Sequence, residues 1–217
     1  MRWQVDGASI ASVPGMISLP WHDLPLRALL VTAALWPGAA GLAPLTEAQS
    51  YAVTGGRAVV ICPLRSGGRL EGRTQTVRGL VALLPGAREV AGTLVADVRD
   101  LEAGSAMATS QVRENLLEVY RGDGYASITL GDLVLDVPVQ AANRQGAFRG
   151  QLTVHGQARA VTGTYALRHR GRALDLQLSL DLRLDDYGMA PPSHPALRVT
   201  GTMQYALKVT LQPTSAP

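Results

Sequence analysis

The chain is 217 residues long, with a formal net charge of +3, 47% hydrophobic residues and 5% aromatic ones. That length suits one substantial domain, and the apolar fraction excludes a disordered chain. Phe148 is the only phenylalanine, so aliphatic side chains must fill the interior. Lys208 is the only lysine, arginines alternate with acids, and no basic block occurs, which removes the electrostatic footprint of a nucleic-acid binder. Cys62 is the sole cysteine, so no internal disulfide can form and stability must come from the fold itself.

Residues 24–43 read LPLRALLVTAALWPGAAGLA: Arg27, an apolar run over 28–36, the breakers Pro37 and Gly38, then small residues. This is the order of a secretory signal peptide. The apolar run falls well short of the ~20 residues that span a bilayer, so a permanent anchor is the weaker reading. Cleavage after Ala40 or Ala43 fits the small-residue rule, although Pro44 weighs against the second site. The stretch before Leu24 is long for a signal and carries Asp6 and Asp23, which points to Met16 as the native start. A cytosolic tail with a short buried helix is the alternative. The expected organisation is an extension over 1–43 and a domain over 44–217, exported to the periplasm or beyond.

Within the domain, Tyr51–Val53, the turn Gly55-Gly56 and residues 57–63 read as a strand, a tight turn and a second strand. A turn at 66–68 follows, then a short weak strand around Leu70 and Gly72 and another over 76–84. Glycines inside strands mark bulges or bends that let a sheet curl toward closure. Past the Pro85-Gly86 turn, Val90, Gly92, Leu94, Ala96 and Val98 alternate with Ala91, Thr93, Val95 and Asp97, a further strand.

A short amphipathic helix is expected over about 110–120, N-capped by Thr109 or Ser110, with Val112, Leu116, Leu117, Val119 and Tyr120 on one face. Gly122 and Gly124 end it, and strands resume over 125–130 and 133–139, Pro138 marking an edge or a terminus. Phe148, Gly150, Leu152 and Val154 then alternate with polar residues up to the turn His155-Gly156, and 157–168 form the return strand.

The clearest signal is Leu174, Leu176, Leu178, Leu180, Leu182 and Leu184, a leucine at every second position with polar residues between. A period of two puts all of them on one face of a long strand. Val199, Gly201, Met203, Tyr205, Leu207, Val209 and Leu211 repeat the pattern after a loop at Pro191-Pro192. Such faces need a long apolar partner, which a sandwich or a closed barrel can supply.

Residues 97–119, residues 150–163 (GQLTVHGQARAVTG) and the leucine strand ending in Asp185-Asp186-Tyr187-Gly188 together resemble the YceI-like family, in that order and across 49–211. The resemblance implies an all-β fold, an extended antiparallel lipocalin-like barrel with a short inserted helix, whose apolar lumen holds a polyisoprenoid or related amphiphile. A shortage of aromatics and glycine-rich first strands are where this sequence departs from that pattern.

His22, His155, His169 and His194 are scattered with no second cysteine, so no zinc site and no other metal is expected. His155 reads as hydrogen bonding its own turn, with a place near a ligand head group as the alternative. Asp185 and Asp186 read as a solvated turn, Glu114 and Glu118 as a solvated helix face beside Arg113 and Arg121, and Cys62 as a small strand residue. No catalytic constellation and no cofactor motif is present. The chain therefore reads as a non-catalytic binding protein for an isoprenoid-type lipid, with a homodimer compatible with the sequence. The alternative is a structural or interaction protein of the cell envelope with a side-chain-filled barrel. The residues expected to line the lumen are Phe148, Leu152, Leu176, Leu178, Leu180, Met203, Tyr205 and Leu207.

Overall fold

The computed structural model describes residues 48–139, 143–191 and 198–214. The signal segment, Met16, the cleavage sites, His22 and His194 lie outside them. Nine strands appear: β1 (Gln49–Pro63), β2 (Arg69–Thr74), β3 (Val77–Leu83), β4 (Glu89–Asp97), β5 (Ser127–Leu135), β6 (Arg144–Val154), β7 (Gln157–Arg170), β8 (Ala173–Arg183) and β9 (Thr202–Pro213). Consecutive strands pair antiparallel from β3 to β9, and β9 returns to β1, closing the sheet on itself.

β2 and β3 fill one place in that ring. Both pair with β1 in a single continuous register, Ala58 facing Thr74 and Ala52 facing Leu80. The interruption at Gln75-Thr76 is a local kink, where the Thr76 N–H donates to Thr74 Oγ1 at 3.1 Å. Nine strands therefore make a closed barrel of eight positions, the size at which side chains can just fill the interior or surround one slender ligand.

The leucine alternation becomes β8, and its five leucines, with Leu184 just past its end, are buried. β9 continues the interior surface through paired inward residues: Leu176 with Val209, Leu178 with Leu207, Leu180 with Tyr205 and Leu182 with Met203. Across β6 and β7, Phe148 is paired with Gly163, whose missing side chain makes the space for the ring: a Cβ there would lie 2.7 Å from Phe148 Cε1.

Several local expectations are revised. Gly55-Gly56 makes no hairpin turn; β1 runs straight through, with a register shift against β9 between Val53 and Gly55. Glycine is needed there for approach, since a Cβ on Gly56 would sit 2.8 Å from the Lys208 carbonyl oxygen of β9. The strands expected over 125–130 and 133–139 are one strand, β5, bulged between Gly131 and Val134 with Asp132 at φ +51°. Pro138 lies past its end.

The inserted helix starts earlier than expected. Ser105, not Thr109 or Ser110, is the N-cap, its side chain accepting from the Ala108 N–H, and α1 spans Ala106–Ser110. Thr109 Oγ1 instead accepts from the Ala103 N–H, and Ser110 donates to Glu114. A π-helical stretch, Gln111–Leu116, and a 3-10 turn, Val119–Arg121, complete the segment. The Leu117 N–H reaches back to the Val112 carbonyl at 2.9 Å. That i to i−5 bond widens the helix and re-aims the residues after it, a device often placed where a helix must meet an irregular surface. Ala108, Val112, Leu116 and Leu117 join the core cluster, whereas Tyr120, expected on the same face, is 72% exposed.

Candidate functional site

All eight residues expected to line the lumen lie in the barrel interior, within a single apolar cluster. Leu152 and Met203 expose nothing and Tyr205 only 1%. Atoms so completely covered border no water-sized void, so these side chains are closely packed by their neighbours in the core. The polar rows between them face outward, except that Asp175 is covered by an ion pair with Arg170 at 2.7 Å and a hydrogen bond from Thr210.

Polar atoms enter this interior mainly as phenols. The hydroxyls of Tyr187 and Tyr205 are buried without a hydrogen-bond partner. Burial alone drives the Tyr205 phenol far above its usual range, which keeps it a neutral donor at any physiological pH. Tyr165 faces Asp136 at the opposite end, where Asp136 accepts from the Ala147 N–H at 2.9 Å. The thiol of Cys62 is also buried, and loss of solvation pushes it up to about 12.

The β1–β2 turn, the long β4–β5 connection, the β6–β7 turn and the β8–β9 connection share one end of the barrel, as the antiparallel order requires. Segment 106–121 belongs to that end, with Val112, Leu116 and Leu117 in the core. His155, at the β6–β7 turn, holds it in place. Its Nε2 lies 2.7 Å from Glu118 Oε2 and its Nδ1 3.1 Å from the carbonyl oxygen of Tyr187, just after β8. Tyr125 packs edge-on against the imidazole at 4.6 Å, and Arg121 stacks on the Tyr125 ring while binding Glu118 at 2.7 Å. Arg99 joins Asp97 to Asp123 alongside.

Both ring nitrogens thus face oxygen acceptors. A neutral imidazole has one N–H, so both contacts are hydrogen bonds only when the His155–Glu118 pair holds an additional proton. The Arg121 hydrogen bond, with a further contribution from His155, holds the Glu118 carboxyl below its ordinary range. Two non-glycine residues adopt left-handed backbone to make this contact, His155 at φ +53° and Glu118 at φ +49°. Such conformations persist where the surroundings over-determine them.

The reading of His155 as a residue that bonds its own turn is thereby revised: it joins three separate elements. Glu118 was read as solvated, and in fact half of its role is missed by sequence reasoning, because its partner lies 37 positions away. Glu114, Asp185 and Asp186 are exposed, as a solvated face and a solvated turn require.

The geometry defines a class: a closed antiparallel barrel of lipocalin-like form, aliphatic within, with a helical segment at one end. The particular fold is the YceI-like one. The chain is similar to a polyisoprenoid-binding domain from Saccharophagus degradans implicated in plant cell wall breakdown, with a TM-score of 0.59 and 14% identity over 76% of this chain and 98% of that one. It is similar to BcnA of Burkholderia cenocepacia at a TM-score of 0.57, with 16% identity over 71% of this chain and 95% of the other. The YCEI protein of Campylobacter jejuni follows at 0.53 and 10% identity, over 69% and 87%. No family model and no curated protein matches the sequence.

Proposed function

We propose that this chain is an exported, non-catalytic carrier that holds a long-chain isoprenoid or similar amphiphile inside its barrel. The observation that carries the reading is the pairing of an apolar inner surface on β8 and β9 with buried, unpartnered phenols, Tyr187 and Tyr205 among them. A barrel filled only by its own side chains leaves those hydroxyls at a cost of about 1–3 kcal/mol each, which a ligand oxygen would remove. The similarity to a polyisoprenoid-binding domain supports the same class of ligand. Phe148, Leu152, Leu176, Leu178, Leu180, Met203, Tyr205 and Leu207 would contact its chain.

Binding requires the interior to make room. Withdrawing Val112, Leu116 and Leu117 from the core costs roughly 1.5–3 kcal/mol per side chain, and an apolar chain entering in their place restores a comparable amount. Affinity should therefore rise with chain length. The close packing of the interior also favours a second reading, a structural protein of the envelope whose barrel is permanently filled.

Purification from the native host without delipidation, followed by native mass spectrometry, separates the two. The carrier reading expects co-purified lipid, or uptake from a mixture of isoprenoids; neither outcome leaves only the structural reading. The mass of the mature N-terminus tests export, and intact Met1 in secreted material would overturn the signal-peptide assignment.

A further inference from the structure

The barrel wall is incomplete along one seam. β7 pairs with β8 only from Thr164 opposite Ser179 to Arg170 opposite Ala173. In the same register Val161 would face Leu182 and Thr162 would face Asp181, yet no pairing joins 157–163 to 180–183, although each stretch remains a strand paired to its other neighbour. The wall is still tight at Gly163, where a Cβ would lie 2.4 Å from the Ser179 carbonyl oxygen and 2.9 Å from Leu180 Cβ. Beyond it the strands part toward the helical end.

A cleft of about 570 Å³ occupies the gap, lined by residues of both strands and by the 3-10 turn Asp185–Tyr187. Val161 and Leu182 are inward positions and Thr162 and Asp181 outward ones, and all four line the cleft. Arg159 spans it, donating from Nε to the Asp186 carbonyl at 3.0 Å. Tyr187 lines the same cleft, 2% exposed, with its hydroxyl buried and unpartnered. The charges around the cleft are mixed, Arg159 and Arg183 against Asp181, Asp185 and Asp186, so an anionic head group gains no clear advantage.

We propose that this splayed half of the β7–β8 seam is a lateral doorway and head-group site for a neutral, oxygen-bearing lipid. The apolar chain passes between Val161 and Leu182, and the terminal oxygen accepts a hydrogen bond from the Tyr187 hydroxyl. This assignment rests on the carrier reading and names the route and the polar contact for it. His155 ties the carbonyl of Tyr187 to Glu118, so the doorway and segment 106–121 share one anchor.

The test compares two probes, farnesol, which ends in a hydroxyl, and squalene, a hydrocarbon without oxygen. Their affinities are measured by competition against the uncharged fluorophore N-phenyl-1-naphthylamine, and the association rate of that fluorophore is followed by stopped flow. Tyr187→Phe removes only the orphan hydroxyl and should leave the fold intact. It is expected to weaken farnesol binding by about five- to tenfold while leaving squalene unchanged. Val161→Trp, which fills the cleft, is expected to slow fluorophore association at least tenfold. Equal farnesol affinity in wild type and Tyr187→Phe, or unaltered association in a folded Val161→Trp, overturns the doorway while the carrier reading stands. Failure of the wild type to take up any of the three probes refutes the carrier reading itself, and the doorway with it.

Discussion

Leu152→Ala tests how the interior is packed. Leu152 sits near the C-terminal end of β6, facing Leu130 of β5, and is 0% exposed. In an interior filled by touching side chains, truncation removes both the transfer energy of the lost carbons and the contacts around the cavity they leave. The T4 lysozyme Leu→Ala series, the source of that rule, spans roughly 2.7–5 kcal/mol. The same loss is expected here, and for a domain of this size it lowers Tm by about 5–20 °C. Urea unfolding followed by circular dichroism, with tryptophan-independent far-ultraviolet signal, measures it directly. With a slope near ~2 kcal/mol/M the midpoint should fall by about 1.4–2.5 M at unchanged slope. A side chain that merely borders an open lumen already contacts empty or solvent-filled space, and its truncation costs little. A loss below about 1 kcal/mol, with the slope unchanged, would refute the argument that the interior side chains fill the barrel.

Leu178→Arg should abolish probe uptake and destabilise the fold by several kcal/mol, because it places an unpaired charge among aliphatic neighbours, while Gln177→Arg on the outer face should change the urea midpoint little; equal tolerance would show that the two faces are not distinct. Cys62, with its thiol pushed up to about 12 by burial, should resist iodoacetamide at pH 8 in the folded protein and react fully in urea, which intact mass spectrometry reads. Glu118 has a folded pKa held below its ordinary value by Arg121 and then His155; its contribution is therefore present above the unfolded value, about 4.3, and is lost as pH falls through the lower folded value. Acid titration of stability should show that loss in wild type and a shallower one in Glu118→Gln; identical acid limbs would argue that the His155–Glu118 contact adds nothing to stability.

The period-two alternation of β8 and β9 determined the inner and outer faces by itself, because in a strand the side-chain direction follows from sequence position alone. The turn His155-Gly156 and the strands on either side of it were legible for the same reason. Local pattern misled where glycine was read as a turn. Gly55-Gly56 has the composition of a hairpin, and only the approach of the β9 backbone shows that Gly56 is small to admit a neighbour. The helical segment was visible as an amphipathic stretch, but its start at Ser105 and its π-helical middle depend on how Val112, Leu116 and Leu117 reach the core. Three features belong to tertiary structure outright. Closure of β9 onto β1 joins the two ends of the domain, the His155–Glu118 contact joins a turn to a helix end, and the parting of β7 from β8 is the absence of pairing between strands that each look complete in sequence. Alternation fixes which way a side chain points, whereas which strand lies beside it, and for how many residues, is set by the twist and closure of the whole barrel.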